Sequence, residues 1–488
     1  MNRETHKRPR GVGCLEWYSN LTEWIERSGG TAPATIGLTP ERELQVLQDP
    51  IAAGTVVFTV PWECLVTAGR MRELRDATVW LSAAIQSHDR NLRSTKDDTA
   101  SALYNSVQDC AVAMYLASRP AEYREYLASL PSDSNFLPRQ WSESELKALR
   151  GSPLLIRVRK AREGIQKDYN LIREAWKEIH SSHSPSTTAN FPKLEEFSSA
   201  MAVVSSRAFS GMAGFETKGG AVNDTTMIPL LDLCNHHRGR CVTKNVSYRF
   251  KDGTVMVKAV TDIAIGDTLK ITYGAQGNAQ LFLNYGFCVA DNWEPDGSSN
   301  DALEFFRDAN DLEPVAFLRT GPKSYTYGPF VKALESFRDD NAERKTEHDF
   351  VDLEAFLDEC DDEGVDEEFD CCFVENDGVC VEGEDTKSSD IKLLEDFRTR
   401  LLAMQDDYVL NESSQTPFAT TLIQSELRII DFFLRAVVAI EKRLDVQDIQ
   451  PLQSTIALKF IDESRARKQV DELAKVFMQI RHSGGLPS

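Results

Sequence analysis

The stretch from Met227 to Phe287 constrains the fold of this chain more than any other. It opens on the apolar run Met227-Ile228-Pro229-Leu230-Leu231, which ends in Asp232-Leu233-Cys234-Asn235-His236-His237. It closes on Ile271-Thr272-Tyr273-Gly274-Ala275-Gln276-Gly277-Asn278 and then Tyr285-Gly286-Phe287. Between them, Val246–Phe250 and Thr254–Val260 alternate in polarity around Lys251-Asp252-Gly253, which reads as a hairpin with the turn chemistry of Asp-Gly. Thr268–Tyr273 reads as the next strand and delivers Tyr273 at its end. An apolar run ending in Asp-x-x-Asn-His, a hairpin and two Tyr-Gly pairs form one compound signal of a β-rich domain.

Upstream, Cys14–Arg27 carries Leu15, Tyr18, Leu21, Trp24 and Ile25 at helical spacing, with Gly29-Gly30 as a stop. Leu44–Val66 reads as two short strands around a turn. The β-branched and aromatic run Thr55–Val60 ends at Pro61. The turn Asp49–Gly54 is echoed by Asp262–Gly266, and both precede strands. Gly69–Lys193 reads as mostly helical, with helix periodicity over Cys110–Leu116, Arg119–Leu130 and Glu143–Ile179. His180 and His183 stand in a Ser-, Pro- and Thr-rich loop with no carboxylate or Cys cluster beside them, so no metal site is expected there. Phe197–Phe209 returns to a helix. Gly211–Asp224 is a Gly-rich loop that matches neither a phosphate loop nor a dinucleotide-binding pattern.

The net charge of −21 is unevenly spread: Glu347–Asp385 holds 18 acidic residues and no Lys or Arg, which leaves −3 for everything else. That segment reads as a flexible or partly helical insertion. Nothing supplies the basic face of a nucleic-acid binder. No apolar run approaches the roughly 18 residues of a membrane span. Met1–Arg10 lacks the apolar core of a signal peptide. The ten cysteines form no C-x-x-C pair, and Cys371, Cys372 and Cys380 lack a fourth paired ligand. These features read as a cytoplasmic or nuclear protein with reduced thiols and no metal. Beyond residue 300, Leu393–Leu402, Leu422–Leu444 and Val446–Ile480 read as long amphipathic helices. Leu422, Leu427, Ile430, Phe433, Leu434 and Val437 make a wide apolar stripe.

The order and spacing of the Asp232–His237, Tyr273-Gly274 and Tyr285-Gly286 motifs resemble the C-terminal half of a SET domain, in the branch typified by the Rubisco large-subunit lysine methyltransferase. The insert residues Tyr123, Tyr126, Leu127, Leu130-Pro131, Trp141 and Leu149-Arg150-Gly151 resemble the helical insert of that branch. The resemblance implies an α+β fold: a β-rich, pseudoknotted SET domain with a helical insert, followed by an all-α C-terminal domain. It places the first part of the SET domain at 14–68, the insert at 69–205, the rest of the SET domain at 206–299 and a helical substrate-binding domain at 300–488, with the acidic insertion at 347–385.

The resemblance also implies S-adenosylmethionine-dependent methylation of a lysine on a non-histone protein, and it distributes roles. Arg207, in Ser205-Ser206-Arg207-Ala208-Phe209, lies near the cofactor carboxylate, which suits a rigid guanidinium fork. Asn235 and His236 hold the cofactor, His236 through its backbone, and Asp232 braces their turn by accepting main-chain N–H groups. Tyr273 is the catalytic residue and touches the cofactor's methyl group. Phe209, Tyr285 and Phe287 wall the substrate channel, and Asn278 braces the crossing of the two motifs. Where SET domains carry Gly-x-Gly to let backbone approach the cofactor, this chain has Arg42-Glu43-Leu44. Two further readings stand beside the lysine methyltransferase. One is a catalytically inactive SET-like scaffold that binds partners through its helical C-terminal domain and acidic segment. The other is a histidine methyltransferase, from which the apolar Phe209 leans away. No membrane or direct nucleic-acid partner is expected under any of the three.

Overall fold

The computed structural model describes residues 13–94, 103–132, 136–181, 191–209, 216–217, 220–221, 225–237, 244–308, 311, 313–321, 323–337, 384–408, 417–444 and 463–482. The chain divides into two compact units. One comprises Met1–Ser142, Ile156–Ala275 and Gln280–Gly286; the other comprises Glu143–Leu155, Gln276–Ala279 and Phe287–Ser488.

In the first unit, helix α1 (Gly13–Arg27) buries Leu21 and Ile25 and is stopped by Gly29 at φ +93°. Strands β1 (Ile36–Leu38) and β2 (Leu44–Val46) form an antiparallel hairpin. Strand β3 (Val56–Pro61) lies beside β11 (Thr254–Ala259), which in turn pairs with β10 (Val246–Lys251). The β10–β11 register pairs Lys251 with Thr254, so Asp252 (φ +51°) and Gly253 (φ +74°) alone make the turn, with the positive dihedrals a tight hairpin requires. Val255, Val257 and Ala259 alternate inward on β11, so the strand's period of two aligns one face with the core. The two echoed turns pair with each other. Ile51 and Ile263 exchange both main-chain hydrogen bonds at 2.9 Å, and the Asp262 carboxylate accepts the Ala53 N–H at 2.8 Å.

Three short strands set the position of the central motif. Strand β8 (Thr226–Met227) lies between β4 (Val66–Thr67) and β5 (Ala208–Phe209), antiparallel to both. Strands β6 (Glu216–Thr217) and β7 (Gly220–Ala221) pair within the Gly-rich loop. Strand β9 (Asn235–His236) runs parallel to β12 (Lys270–Ile271). Asn245 locks this pair from the side: its amide donates to Thr268 O at 2.8 Å and accepts the Lys270 N–H at 2.7 Å.

The insert is helical, as its periodicity predicts, but it is broken more often. Helices α2 (Ala68–Glu73), α3 (Arg75–Ser94) and α4 (Val107–Ala117) precede α5 (Arg124–Ser129). The Arg119–Leu130 stretch is not one helix: Arg119 at φ +54° and Pro120 interrupt it, and a 3-10 turn at Ala121–Tyr123 leads into α5. Likewise Glu143–Ile179 splits into α6 (Glu143–Leu146), a 3-10 turn at Lys147–Leu149, and α7 (Leu154–Ser181). Gly151 at φ +90° followed by Ser152-Pro153 makes the break, because neither residue suits a helix interior. Helix α4 is buried all round from Cys110 to Leu116 and packs on α3 and on α8 (Leu194–Arg207). Helix α8 ends at Arg207, so Phe209 lies in a strand rather than in the helix expected for it. The short helix α9 (Asn278–Tyr285) follows Tyr273 in the chain.

The second unit has its own core. The antiparallel strands β13 (Ala302–Phe305) and β14 (Ala316–Arg319) accompany α10 (Lys323–Glu335), α11 (Glu384–Asp407), α12 (Pro417–Arg443) and α13 (Glu463–His482). Phe305, Phe330, Phe397, Phe433 and Phe477 interlock at its centre. All six residues of the apolar stripe read in 422–437 are buried. The acidic segment lies outside the described residues, apart from Glu384 and Asp385, which start α11; so do Cys371, Cys372 and Cys380.

This unit also buries a polar knot. Asp301 accepts Asn278 N–H at 2.7 Å, Asn278 Nδ2 at 3.0 Å and Asn292 Nδ2 at 2.9 Å. Asn278 also exchanges hydrogen bonds with the main chain of Val289, at 2.9 and 2.7 Å. Glu426, 3% exposed, accepts the hydroxyls of Ser152 and Tyr408, each at 3.0 Å. Burial above all, with Asp301 and Glu304 nearby, pushes the Glu426 pKa from its ordinary 4.5 up to about 8. The folded state therefore holds this proton more tightly than the unfolded chain. The resulting stability is fully present below pH 4.5 and is lost as the pH climbs to about 8. Urea denaturation at pH 5 and pH 8 should show this loss in the wild-type chain. In Glu426→Gln it should be smaller by on the order of 1–4 kcal/mol. Equal losses in the two proteins would contradict this account.

Candidate active site

The Asp-x-x-Asn-His motif begins with backbone strain. Leu230, fully buried, sits at φ +66°, a region that bulky L-residues avoid at a cost on the order of 1–3 kcal/mol. This kink lets Leu231–Leu233 close a 3-10 turn, after which Cys234 is extended and Asn235–His236 enter β9. The parallel β9–β12 pairing then sets Tyr273 beside the motif. The Tyr273 N–H donates to His236 Nδ1 at 2.9 Å, and the Tyr273 hydroxyl donates to the Cys234 carbonyl at 3.0 Å. The His236 imidazole thus accepts a main-chain proton, a bracing task.

Around Tyr273 the chain closes a cavity of about 130 Å³, lined by Ser206, Arg207, Ala208, Phe209, Asp232, Cys234, Tyr248, Thr272, Tyr273 and Tyr285. This is below the roughly 300–1,000 Å³ of a whole-ligand pocket. It has room for the end of one side chain. The Tyr273 and Tyr285 rings stack at 4.7 Å, and Phe209 meets Tyr248 edge-on at 5.3 Å. Burial pushes the phenols of Tyr273, Tyr285 and Tyr248 above their ordinary value, so all three are neutral at physiological pH. Gly286 follows at φ +79°, and a side chain there would stand 2.5 Å from the Phe136 carbonyl, so only glycine fits the turn that ends the Tyr285 helix.

Arg207, at the end of α8, donates through Nη1 to the Asp232 carbonyl at 2.8 Å and stands 3.8 Å from the Asp232 carboxylate. The Asp232 side chain, expected to brace its turn through main-chain N–H groups, interacts with its own main-chain N–H but takes its closest side-chain donor from outside the turn. Its Oδ2 accepts the hydroxyl of fully buried Tyr126 at 2.9 Å, because α5 of the insert packs that phenol directly against it. Its Oδ1 is buried and has no hydrogen-bond partner among the described residues. Burial raises the Asp232 pKa, and the Arg207 charge and the Tyr126 hydroxyl oppose that rise.

The residues read from the sequence thus divide among three places. Arg207, Phe209, Asp232, Tyr273 and Tyr285 line one cavity. Asn235 and His236 occupy the adjoining strand, and Phe287 belongs to the second unit. Tyr248 joins the lining without having been singled out; its signal was the alternation of β10, which puts Val246, Tyr248 and Phe250 on one face of the strand. Tyr126 was read only as part of the insert pattern. Among the described residues, no group of three or more His, Cys, Asp or Glu side chains is arranged to hold a metal ion. No helix there is long and apolar enough to cross a membrane.

The loop that replaces Gly-x-Gly keeps a glycine-like backbone. Arg42 adopts φ +69°, where glycine is free and arginine is strained. Its guanidinium offsets that strain by lying 4.5 Å over the Trp17 ring and donating to the Ser129 carbonyl at 2.6 Å. Next to it, the Glu43 carboxylate accepts the Asn235 side-chain amide.

Comparison with known proteins gives the architecture a context. No protein-family model matches the chain. The crystal structure of the LSMT SET domain bound to lysine and AdoHcy superposes at a TM-score of 0.57 with 15% identity, covering 94% of this chain and 96% of that one. Rubisco LSMT bound to AdoMet superposes at 0.53 with 16% identity, covering 92% and 96%. This likeness shows the fold. In sequence, the chain is 28% identical over 159 residues to the [fructose-bisphosphate aldolase]-lysine N-methyltransferase of Arabidopsis thaliana, which is 30% of each protein. It is 33% identical over 76 residues to the actin-histidine N-methyltransferase of Mus musculus, 16% of this chain and 12% of that protein. The ribosomal lysine N-methyltransferase set10 of Schizosaccharomyces pombe is 27% identical over 127 residues, 26% and 22%. The matched segments therefore span less than a third of these relatives.

Replacing Tyr126 by Phe keeps the ring and leaves the Asp232 carboxylate without its hydroxyl donor. Urea unfolding should show a loss of about 1–3 kcal/mol, against no change if the hydrogen bond is incidental.

Proposed function

We propose that this chain, an LSMT-like SET-domain protein, transfers a methyl group from S-adenosylmethionine to a lysine side chain of a non-histone protein. The observation that carries the reading is the Tyr273 hydroxyl, anchored on the Cys234 carbonyl inside an aromatic cavity sized for one side-chain end. The donor set fits the amino-acid end of the cofactor. The cation Arg207 suits its carboxylate and the Asn235 amide its ammonium, while the buried Oδ1 of Asp232, without a hydrogen-bond partner among the described residues, leaves a polar acceptor at the cavity wall. When bound, the cofactor supplies an electrophilic methyl on a good leaving group, so the protein's task is to position and desolvate the nucleophile.

The chain's own groups match that task. An ordinary lysine has a pKa of about 10.4, so uncharging it at pH 7 costs roughly 4.6 kcal/mol. The walls of Phe209, Tyr248, Tyr273 and Tyr285 offset part of this by disfavouring the ammonium. Because Tyr273 is held neutral, it does not serve as the base. With its proton given to Cys234 O, its oxygen can act as an acceptor that orients the incoming amine. The apolar Phe209 in the cavity wall leans this reading towards lysine and away from a histidine target. The similar proteins are named for an aldolase, actin and a ribosomal target, which supports a non-histone substrate.

Calorimetric titration with S-adenosylmethionine tests the reading. The wild-type chain should bind it. Tyr273→Phe should keep that affinity within about tenfold and lower methyl transfer into a cell lysate by about 100-fold or more. Absence of binding at millimolar cofactor overturns the proposal, and methyl-histidine in the labelled product would overturn the lysine assignment.

A further inference from the structure

We infer that Glu43 is a cofactor-specificity residue: its carboxylate, paired with the Asn235 amide, recognises the α-ammonium group of the cofactor. This inference rests on the reading above and adds to it a side-chain anion where the glycine pair would supply backbone alone.

The loop that presents Glu43 is built to hold one geometry. It closes the β1–β2 hairpin between the paired residues Leu38 and Leu44. Thr39 N–H donates to the Glu43 carbonyl at 2.9 Å, Arg42 N–H donates to the Thr39 carbonyl at 3.0 Å, and Glu43 N–H donates to Thr39 Oγ1 at 3.2 Å. Arg42 pins the loop from the other side, through its contacts with Trp17 and Ser129. The main chain at the left-handed residue is therefore fixed, and the adjacent carboxylate is pre-organised rather than free to swing.

The orientation of Asn235 completes the argument. Its Nδ2 donates to Glu43, so the amide carbonyl is the end turned away from Glu43 and stays available as an acceptor. One carboxylate oxygen of Glu43 takes that donor, and the other keeps its lone pairs. An anion beside an amide carbonyl is the chemistry that selects a primary ammonium, and it repels the carboxylate that belongs with Arg207 on the cavity side. The two charges of an α-amino acid thus find complementary partners: Glu43 with Asn235 for the ammonium, and Arg207 for the carboxylate.

The test compares two ligands on two proteins by calorimetry: S-adenosylhomocysteine, and its analogue with the α-amino group replaced by hydrogen. The wild-type chain should prefer the amino form. In Glu43→Gln, which keeps the shape and an acceptor for Asn235 but removes the charge, affinity for the amino form should fall by about tenfold with the analogue unchanged, so the preference collapses. The unfolding midpoint of the variant without ligand reports whether it folds, and Glu43→Asp should restore part of the preference. An equal preference in wild type and Glu43→Gln overturns the inference and leaves the methyltransferase reading intact. So does tighter binding by the variant, which would mark Glu43 as a plug. If the wild-type chain binds neither ligand at millimolar concentration, the underlying reading fails and this one fails with it.

Discussion

The parallel pairing of Asn235–His236 with Lys270–Ile271 is the constraint on which the site depends. Two rungs of main-chain hydrogen bonding are weak alone, and parallel strands cannot be joined by a tight turn. The pair persists because its flanks are clamped. Asn245 ties Thr268 to Lys270, His237 N–H reaches the Ile271 carbonyl at 2.8 Å, and the His236 ring receives the Tyr273 N–H. Once the pair is in place, Tyr273 has nowhere to go but beside Cys234. Tyr285, one short helix later, stacks on it.

The electrostatics of the site follow from a buried carboxylate. Asp232 is removed from water, which is costly unless partners compensate. Arg207 arrives from the end of α8 and Tyr126 from the insert, so helical and β-rich parts of one unit meet at a single charge. This explains the insert as part of the site's frame and not merely as a decoration of the sheet. It also accounts for the end of α8: the chain turns at Arg207 into β5, and the β8 pairing holds Phe209 at the cavity wall.

The second unit uses the same physics differently. Its polar knot around Asp301 surrounds a buried carboxylate with amide donors of Asn278 and Asn292 and with the Ser425 hydroxyl. Glu426 has two hydroxyl donors but the neighbouring carboxylates against it, and it keeps its proton instead. Asn278, read from the sequence as a brace between motifs, ties Asp301 to the Val289 segment, a role its position after Tyr273-Gly274 does not reveal.

Much of this was legible in the residues because local rules dominate there. The β10–β11 hairpin was visible since Asp-Gly tolerates positive φ and the flanking strands alternate. The α12 stripe was visible since burial repeats at the helical period. The α+β class and the association of Tyr273 with the Asn-His motif were carried by motif order. What the residues left open involved contacts between distant segments. Neither the Tyr126 hydroxyl on Asp232 nor Tyr248 in the lining has a local signature, because a buried aromatic reads the same whichever neighbour it meets. Helix breaks at Arg119 and Gly151 hid under continuous periodicity, since apolar spacing survives a turn that dihedral angles do not. The Arg42 loop shows the division most clearly. By sequence, Arg42 stands where SET domains carry a glycine for its backbone conformation. The tertiary structure kept that conformation, because an indole ring and a carbonyl from elsewhere in the chain hold the arginine where glycine would have stood.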